Sequence, residues 1–532
     1  MAKKTIYYIS DKTGNDDNPG TSPQKALRSL AAIGERVLAP GDEIRLERGS
    51  VFRGQALHLC AQGTAGSPIV VGSYGEGPLP VIQARGSGLW YQDYGCELDT
   101  PTHVWRGYVS SAVLLYDCEY IRLEDLEICN DGPVRGERYS QADKLNRTGV
   151  AVVAQQRGTL HNIELQRLYI HDVRGNVYDK HLNNGGIYCT ALRPTDPAAG
   201  IARYDGLYIH HCRVENCSRW GIAAGYTYTH SFFTGKELDD KVVETYGHTN
   251  VVLEYNFVRD IGGDGITPMY CLRPLVQFNV SDRVANEIND QVYTLAGERA
   301  GKTAAAIWPW KCKDALFQYN EAYNTCYNQD GQAWDADSGD GTIYQYNYSY
   351  NNAGGCVMFC EGESVNNIFR CNISLFDGDG VINPAHNPDD ARIYNNTFIL
   401  RQDVAFIRHN MSGGHMLVEN NIICRTGQPA EGDWYHQTEF ARYHGNLYIN
   451  FTDSPTEDTQ AVKADGPEGI LPVPFEGPTS TDGVPHSREW FEGFAACSAL
   501  VQNGPVIQPL PDQDFLGQPL EPGTIGACLK KN

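Results

Sequence analysis

The chain has 532 residues, and its 43 Lys and Arg residues against 65 Asp and Glu residues give a formal net charge of −22 at pH 7. This excess of negative charge repels phosphate backbones and anionic lipid surfaces, so the composition argues against nucleic acid or a membrane as a partner. It also disfavours a polyanionic substrate such as a polyuronate. A neutral ligand fits the composition better.

The N-terminal sequence MAKKTIYYISDKTG lacks the apolar run of a secretory signal, and no window approaches the roughly 20 apolar residues of a membrane-spanning helix. We therefore expect a cytoplasmic protein. The 16 cysteines are scattered without the paired short spacings of a zinc site. This pattern predicts reduced core cysteines rather than a disulfide framework.

The order of the predicted elements divides the chain into three parts. Residues 1–85 contain short β-rich runs broken by Gly and Pro, which suit an N-terminal cap and first coils. Residues 86–450 form the predicted core, with early coils at 121–129, 162–173 and 205–217 and long loops between them that build the walls of a site. Residues 451–532 are rich in Pro, Gly, Asp and Thr and are predicted to lie along the core as a tail that covers its open end.

A repeat of about 25 residues is the strongest pattern in the sequence. Eight segments share an apolar residue, a polar residue, any residue and then an asparagine, with separations of 23, 41, 27, 25, 24, 25 and 25 residues. The asparagines are Asn256, Asn279, Asn320, Asn347, Asn372, Asn396, Asn421 and Asn446. Such spacing indicates a solenoid, and we predict a right-handed parallel β-helix in which these amides form a hydrogen-bonded ladder at a turn.

Two columns of residues precede these asparagines. The first is apolar and points inward, and the second is mostly polar and points outward, as in a half-buried strand. From the first to the seventh segment the inward column is Leu253, Val276, Phe317, Tyr344, Phe369, Ile393 and Val418.

A second set of strands aligns the residues that could carry chemistry. Its predicted inward column is Ile187, Ile222, Ile266, Ile307, Trp334, Val357 and Val381, and strand alternation then points Trp308, Trp310, Asp335, Asp337, Met358 and Cys360 outward. Glu361 and Glu363 follow at a strand end. Two tryptophans thus lie one coil from two aspartates, which lie one coil from two glutamates.

Paired carboxylates beside exposed tryptophans are typical of a glycosidase. Neighbouring coils lie about 4.8 Å apart, which allows the roughly 5 to 5.5 Å separation of a retaining enzyme, whereas two acids on one strand approach the wider inverting separation. The candidate catalytic residues are Asp335, Asp337 and Glu361, with the retaining mechanism preferred. The candidate substrate-binding residues are Trp308, Trp310, Asp330, Glu363, His386 and Arg408.

Other interpretations of the same residues stay open. Each acid in DGQAWDADSGDG also suits an ordinary turn. Asp330, Asp335, Asp337 and Asp340 could instead bind calcium, although no metal or other cofactor is required by the glycosidase prediction. The segment AGERAGKT (296–303) resembles a phosphate-binding loop, but a predicted strand follows where such a loop needs a helix.

Several segments resemble bacterial parallel β-helix glycoside hydrolases: YYISDKTGNDDNPGTSPQKALRSL, PGDEIRLERGSVFRG, GTAGSPIVVGSYGEG, DGQAWDADSGDGTIYQYNYSYNNAGG and the closing DQDFLGQPLEPGTIGA. The resemblance to the β-helix β-xylosidases implies Asp335 as nucleophile and Glu361 as acid/base. The resemblance to the β-helix lacto-N-biosidases implies a pair of aspartates corresponding to Asp330 and Asp337. The two resemblances imply different catalytic pairs, and both pairs remain open as predictions.

The sequence therefore predicts an exo-acting glycoside hydrolase that trims short oligosaccharides. One rival is a polysaccharide lyase or uronate epimerase, for which Lys311 and Lys313 beside Trp310 would be the candidate bases. The other rival is a carbohydrate-binding β-helix without catalysis. The sugar, the linkage and the oligomeric state are not predicted.

Overall fold

A computed structural model describes residues 4–99, 103–132, 145–177, 179–288, 303–360, 364–385, 389–408, 415–434, 440–478 and 482–530. The chain folds into two compact units. Unit 1 comprises Met1–Thr234, Asp239–Pro274 and Val284–Ala304, and unit 2 comprises Gly235–Leu238, Leu275–Arg283 and Ala305–Asn532. Within the described residues, no helix has both the length and the apolar character to cross a membrane.

Unit 1 contains three sheets of short strands. The first sheet runs in the order Ile6–Ile9, Glu43–Glu47, Ile69–Tyr74, Ile121–Glu124, Thr159–Gln166, Arg203–His210 and Thr249–Glu254. The second runs through Val51–Arg53, Val81–Gln83, Glu127–Asn130, Tyr169–Val173, Arg213–Cys217 and Phe257–Arg259. The third runs through Leu57–Leu59, Arg106–Tyr116, Asn146–Ala154, Gly185–Ala191, Trp220–Thr227 and Ile266–Pro268, and Leu89–Asp93 pairs antiparallel to Arg106–Tyr116.

Unit 2 repeats the same three-sheet plan. Its first sheet contains Leu275–Gln277, Leu316–Gln318, Ile343–Gln345, Ile368–Arg370, Ala391–Tyr394, Met416–Glu419 and Ala441–His444. Its second contains Val280–Asp282, Glu321–Tyr323, Tyr348–Tyr350, Ile373–Leu375, Thr397–Leu400, Ile422–Arg425, Leu447–Ile449 and Val462–Ala464. Its third contains Trp334–Asp337, Val357–Cys360 and Ile382–Asn383.

Helices are short and lie in the loops. In the described part of the chain, the α-helices are Ala31–Gly34 and Asp240–Tyr246, and the 3-10 helices are Pro23–Lys25, Pro197–Ala199, His230–Phe232, Trp490–Phe494 and Ala499–Gln502. The helix Asp240–Tyr246 begins after Asp239, whose side chain accepts hydrogen bonds from the backbone N–H groups of Lys241 and Val242. This side chain satisfies two of the donors that a helix N-terminus leaves unpaired.

The predicted right-handed parallel β-helix is confirmed. In unit 2 the first-sheet residues Val276, Phe317, Tyr344, Phe369, Ile393 and Val418 pair with one another from strand to strand. All six are buried. The predicted inward column therefore forms the interior of the coils, where like residues stack at the interstrand spacing of about 4.8 Å. In unit 1 the early coils predicted at 121–129, 162–173 and 205–217 pair as neighbouring strands.

The predicted asparagine ladder is also present in unit 2. The Oδ1 atom of Asn320 accepts from the backbone N–H of Asn279 at 3.0 Å and from its Nδ2 at 2.9 Å. The same double hydrogen bond recurs at Asn347, Asn372, Asn396, Asn421 and Asn446. The carboxylate of Asp458 accepts the last two donors, so no amide of this series is left unpaired. In unit 1, Asn256 accepts from Cys212 N–H and donates to the Ile209 carbonyl.

A second buried ladder in unit 2 ends on a carboxylate. Asn352 Oδ1 accepts from the backbone N–H and the hydroxyl of Thr325, and Asp377 Oδ1 in turn accepts from the backbone N–H and Nδ2 of Asn352. The hydroxyls of Ser349 and Ser374 donate to Asp377 Oδ2 at 2.6 and 2.7 Å. Burial raises the pKa of Asp377 to about 6, although these hydrogen bonds favour its ionised form.

The raised pKa of Asp377 predicts a dependence of stability on pH. Because the folded chain binds this proton more tightly than the unfolded chain does, the stability contributed by the protonated carboxyl is present below about pH 4 and is lost as the pH rises to about 6. We expect the free energy of unfolding, wild type minus Asp377→Asn, to fall by up to about 3 kcal/mol over this window. Urea denaturation of both proteins at several pH values measures it, and a flat difference would contradict the prediction.

The C-terminal tail lies against the coils of unit 2. Tyr346 OH donates to the Gln513 carbonyl at 3.0 Å, and Tyr394 OH donates to the Pro509 carbonyl at 2.8 Å. His486 forms an ion pair with the buried Glu321 carboxylate at 2.7 Å, and its ring lies 4.2 Å from that of Trp490. These contacts fix the tail along the first and second sheets of this unit.

All 16 cysteines lie among the described residues, and none is in a disulfide. Most of them are buried, and burial raises the pKa of buried thiols such as Cys189 and Cys371. The predicted core position is confirmed for these residues. A buried neutral thiol behaves there as a small apolar side chain.

Candidate functional site

The third sheet of unit 2 has the predicted register with one exception. Ile307 pairs with Trp334, and Trp334 pairs with Val357, as the sequence predicts. The next partner is Ile382 rather than Val381, so the prediction for the last coil is wrong by one residue. The carbonyl of Val381 accepts hydrogen bonds from both Cys356 N–H at 2.9 Å and Val357 N–H at 3.1 Å, and strand pairing begins only after it.

In unit 1 the corresponding third sheet has the predicted register at all three predicted inward positions. Ile187 pairs with Ile222, which pairs with Ile266, and all three are buried. The alternation read from the sequence is therefore correct for these coils.

Asp335 and Asp337 lie on one strand, Trp334–Asp337, with side chains on the face opposite the core residues Trp334 and Ala336. Asp335 is 3% exposed and Asp337 is 8% exposed. One carboxylate oxygen of each lies within 4.8 Å of the other and of the Cys360 sulfur on the next coil. The strand thus brings two acids together in a largely enclosed position.

Hydrogen bonds hold both aspartates in place. The hydroxyl of Ser338 donates to Asp337 Oδ1 at 2.8 Å. The phenol of Tyr344 donates to the backbone carbonyl of Asp335 at 2.9 Å. Burial and the nearby Asp335 carboxylate raise the pKa of Tyr344 well above its usual value, so this phenol stays a donor. The acid-bearing strand is therefore tied to the core beneath it.

Asp330 lies in the loop that leads into this strand, and it is half-buried. Its N–H donates to Asn328 Oδ1 at 3.4 Å. Gly331 has φ +101°, and a Cβ at Gly354 on the next coil would lie 2.2 Å from the Asp330 carbonyl oxygen. Glycine at position 331 allows the left-handed turn of this loop, and glycine at position 354 allows the next coil to approach it so closely.

The two tryptophans differ in exposure. Trp310 pairs directly with Asp337 on the neighbouring coil and is partly exposed, with the Lys311 ammonium 5.6 Å from its ring centre. Trp308 is only 4% exposed, which differs from the expected open platform, and its ring meets that of Trp310 edge to face at 6.1 Å. Trp308 therefore packs against Trp310, and of these two tryptophans only Trp310 offers accessible aromatic surface.

Several candidates fall outside the described residues. These are Glu361, Glu363 and His386, together with residues 296–302 of the segment that resembles a phosphate-binding loop. Arg408 is described: its guanidinium forms an ion pair with Asp379 at 3.1 Å, and its N–H donates to the carbonyl of Ile382 in the third sheet. Arg408 thus lies three coils beyond the strand of Asp335.

Asp340 was a candidate calcium ligand and Lys313 a candidate lyase base, and the two side chains form an ion pair with each other. Lys313 Nζ lies 2.5 Å from Asp340 Oδ2. Asp340 Oδ2 also accepts from Leu238 N–H at 3.0 Å, and Asp340 Oδ1 accepts from Asn366 Nδ2 at 2.9 Å. The ammonium and the carboxylate are thus committed to a local network, and a free base or a calcium ligand would require breaking it.

Two contributions to this region were missed by the sequence analysis. The sequence analysis assigned no role to Ser338 and did not connect the segment Gly235–Leu238 with the site. The position of Ser338 directly after Asp337 was a usable signal. No spacing or repeat could have placed Gly235–Leu238 beside Asp340, because about a hundred residues separate them.

No family model matches the sequence. A lacto-N-biosidase of Bifidobacterium longum subsp. longum is 38% identical over 569 aligned residues, which cover 96% of this chain and 35% of that protein. The chain thus spans about a third of the length of this curated relative.

Solved structures give the same relationship. Two crystal structures of GH136 lacto-N-biosidase from Eubacterium ramulus are 55% and 56% identical, with TM-scores of 0.74 and 0.76, and cover 77% and 78% of this chain and 67% of theirs. A complex of XylC with xylose, at 11% identity and TM-score 0.50, covers 98% of both chains and supports the fold alone. By fold, by identity and by coverage, the chain belongs to the β-helix glycoside hydrolases of the GH136 lacto-N-biosidase family.

Proposed function

We propose that the chain is an exo-acting glycoside hydrolase that releases a disaccharide unit from lacto-N-biosides, the substrate class that its relatives' name gives. The observation that carries the proposal is Asp337, a nearly enclosed carboxylate on the outer face of the third sheet. It stands beside a second carboxylate and one coil from an accessible tryptophan. A chain of this family with such an arrangement has the groups that glycoside hydrolysis needs.

We assign the nucleophile to Asp337 and the acid/base to Asp330. The Ser338 hydroxyl fixes the Asp337 carboxylate, which suits a group that must approach the anomeric carbon in one orientation. Asp330 is more exposed, which suits a group that gives up a proton and regains one from water. The pairing follows the lacto-N-biosidase resemblance rather than the xylosidase one, because the identity of the chain to the former is high.

The proposed reaction retains the anomeric configuration. An oxygen of Asp337 attacks the anomeric carbon while the Asp330 carboxyl gives its proton to the departing glycosidic oxygen, which leaves an ester between the disaccharide and Asp337. Water then loses a proton to Asp330 and attacks the same carbon, which frees the disaccharide and restores both carboxyl groups. Asp335, within 4.8 Å of Asp337, acts on this scheme as a neighbour that positions the nucleophile.

Trp310 is proposed as the stacking surface for a sugar ring. We expect Trp310→Ala to raise KM about 5- to 10-fold with less than a threefold change in kcat, since an aromatic contact contributes roughly 0.5 to 1.5 kcal/mol beyond its buried area. Steady-state kinetics on an aryl lacto-N-bioside measure it. Trp308→Ala is the matched comparison: because Trp308 is buried, we expect a loss of about 3 to 5 kcal/mol in the free energy of unfolding. A loss of stability in Trp310→Ala with KM unchanged would contradict the stacking role.

The function is tested with a panel of substrates on the wild-type protein. The panel contains an aryl lacto-N-bioside, an aryl β-xyloside, aryl glycosides of other monosaccharides and two polyuronates. Both polyuronates are assayed with and without calcium. We expect release of the aryl group from the lacto-N-bioside alone. Cleavage of the xyloside instead would favour the xylosidase assignment, and absorbance of unsaturated products from a polyuronate would replace the proposal with a lyase.

A further inference from the structure

The short segment Gly235–Leu238, which belongs to unit 2, makes two polar contacts with later coils of that unit. Leu238 is buried, and its N–H donates to Asp340 Oδ2 at 3.0 Å. Lys236 Nζ forms an ion pair with Asp389 Oδ2 at 3.1 Å. The segment is therefore held by one backbone hydrogen bond and one side-chain ion pair.

The two anchors lie in one column of the coils. Lys313, Asp340, Val365 and Asp389 pair in succession from coil to coil. Asp340 and Asp389 are thus two coils apart, roughly 10 Å at the spacing of parallel strands. Asp340 also follows Asp337 by three residues, which places it at most about 10 Å further along the same coil. The segment therefore spans coils at the carboxyl end of the acid-bearing strand.

The Asp340 side chain has the features of a structural group held in one orientation rather than of a reacting group. Its side chain is 2% exposed. Lys313 balances its charge, and Asn366 and Leu238 fill its remaining oxygen sites. A buried carboxylate with this many donors has one preferred orientation, because turning it would leave several buried polar groups unpaired. Such a group is suited to holding a loop in place.

We propose that Gly235–Leu238 forms a wall of the substrate pocket beside Asp337, and that Asp340 is a positioning residue that sets the place of this wall and thereby the substrate length that the pocket accepts. This inference rests on the proposed function. An exo-acting hydrolase needs a barrier that stops a longer chain from passing the cleaved unit, and a segment anchored across coils next to the nucleophile supplies one. Asp340 touches no reacting atom in this scheme.

The test compares two substrates in four proteins. The first substrate is an aryl lacto-N-bioside, and the second carries one further sugar at its non-reducing end. The proteins are the wild type, Asp340→Asn, Lys236→Ala and the control Lys463→Ala, whose residue is exposed on Val462–Ala464, the last strand of unit 2. Lys236 is itself largely exposed, so its loss leaves the fold intact even if Asp340→Asn lowers stability.

We expect the wild type and Lys463→Ala to prefer the shorter substrate strongly in kcat/KM. This preference should fall at least fivefold in Asp340→Asn and in Lys236→Ala, through KM rather than kcat. An unchanged preference in Lys236→Ala and in folded Asp340→Asn would overturn the inference while leaving hydrolysis by the wild type as support for the proposed function.

Hydrogen exchange provides a readout that does not depend on turnover. Addition of lacto-N-biose should slow exchange in the peptide that covers 235–238 in the wild type, and less so in Asp340→Asn. A hydrolytically active wild type whose 235–238 peptide is unaffected by the disaccharide overturns the inference alone. A wild type that neither cleaves the aryl lacto-N-bioside nor shows this protection overturns both the proposed function and the inference.

Discussion

Asp337→Asn is expected to lower kcat/KM on an aryl lacto-N-bioside by about four orders of magnitude or more. The amide has almost the same shape and can still accept from Ser338, but it cannot form the ester to the anomeric carbon. The activity that remains should rise with the acidity of the aryl leaving group, because departure of the aryl oxygen is then the slow step. Initial rates over a series of aryl lacto-N-biosides measure this dependence.

Asp330→Asn is expected to behave differently. Loss of a general acid costs about 10²- to 10⁴-fold, and the cost depends on how much the leaving oxygen needs a proton. The variant should therefore lose far more activity on a natural oligosaccharide than on an aryl glycoside with an acidic phenol. Added azide should restore turnover of the aryl substrate, because azide attacks the ester without needing a base.

Asp335→Asn and Glu361→Gln are the matched controls for this pair. On the proposed scheme Asp335→Asn loses less than Asp337→Asn, since Asp335 positions the nucleophile without bonding to the substrate. Two results together would instead favour the xylosidase pair, Asp335 and Glu361. Asp335→Asn would lose as much activity as is expected for Asp337→Asn, and Glu361→Gln would lose far more activity on a natural oligosaccharide than on an aryl glycoside with an acidic phenol.

The second large effect is expected in unit 1, at a fully buried ion pair. Arg219 Nη2 lies 3.1 Å from Asp264 Oδ2 and also donates to the Thr303 carbonyl, and both side chains of the pair are 0% exposed. Among the described residues, the Nε and Nη1 atoms of Arg219 have no hydrogen-bond partner. Asp264→Ala should lower the free energy of unfolding by about 3 to 5 kcal/mol, because it leaves the guanidinium charge buried and uncompensated.

Denaturant unfolding of two further proteins completes this test. The double variant Arg219→Met with Asp264→Ala removes both charges and should regain most of the loss. Asp240→Ala breaks an ion pair with Arg273 whose partners are 45% and 55% exposed, so we expect a change of at most about 1 kcal/mol. A double variant no more stable than Asp264→Ala would show that packing at Arg219, and not the buried charge, determines the effect.

The coil pattern could be read from the sequence because it depends on local rules that repeat. The asparagine column has one residue type in every coil, and each amide meets the next at the interstrand spacing, so spacing alone predicted contacts such as that between Asn320 and Asn347. The one-residue shift of the paired position from Val381 to Ile382 could not be predicted from the sequence. It depends on one carbonyl that accepts two N–H groups, and both residues are apolar and β-branched.

The site was predictable in part for the same reason. Alternation along the strand placed Asp335 and Asp337 on the outer face, since it needs only the register of the coil. The burial of Trp308 depends on what covers that face, and the contact of Leu238 with Asp340 depends on the path of a long loop. Both are tertiary features that a repeat does not encode.

The stereochemical course of the wild-type reaction tests the central claim most directly. Proton NMR of a lacto-N-bioside oligosaccharide, recorded in the first minutes after enzyme is added, identifies both the first product and its anomeric form. The account predicts that lacto-N-biose appears first, from the non-reducing end, with the anomeric configuration it had in the substrate. Release of single sugars, of internal fragments or of the inverted anomer would contradict it.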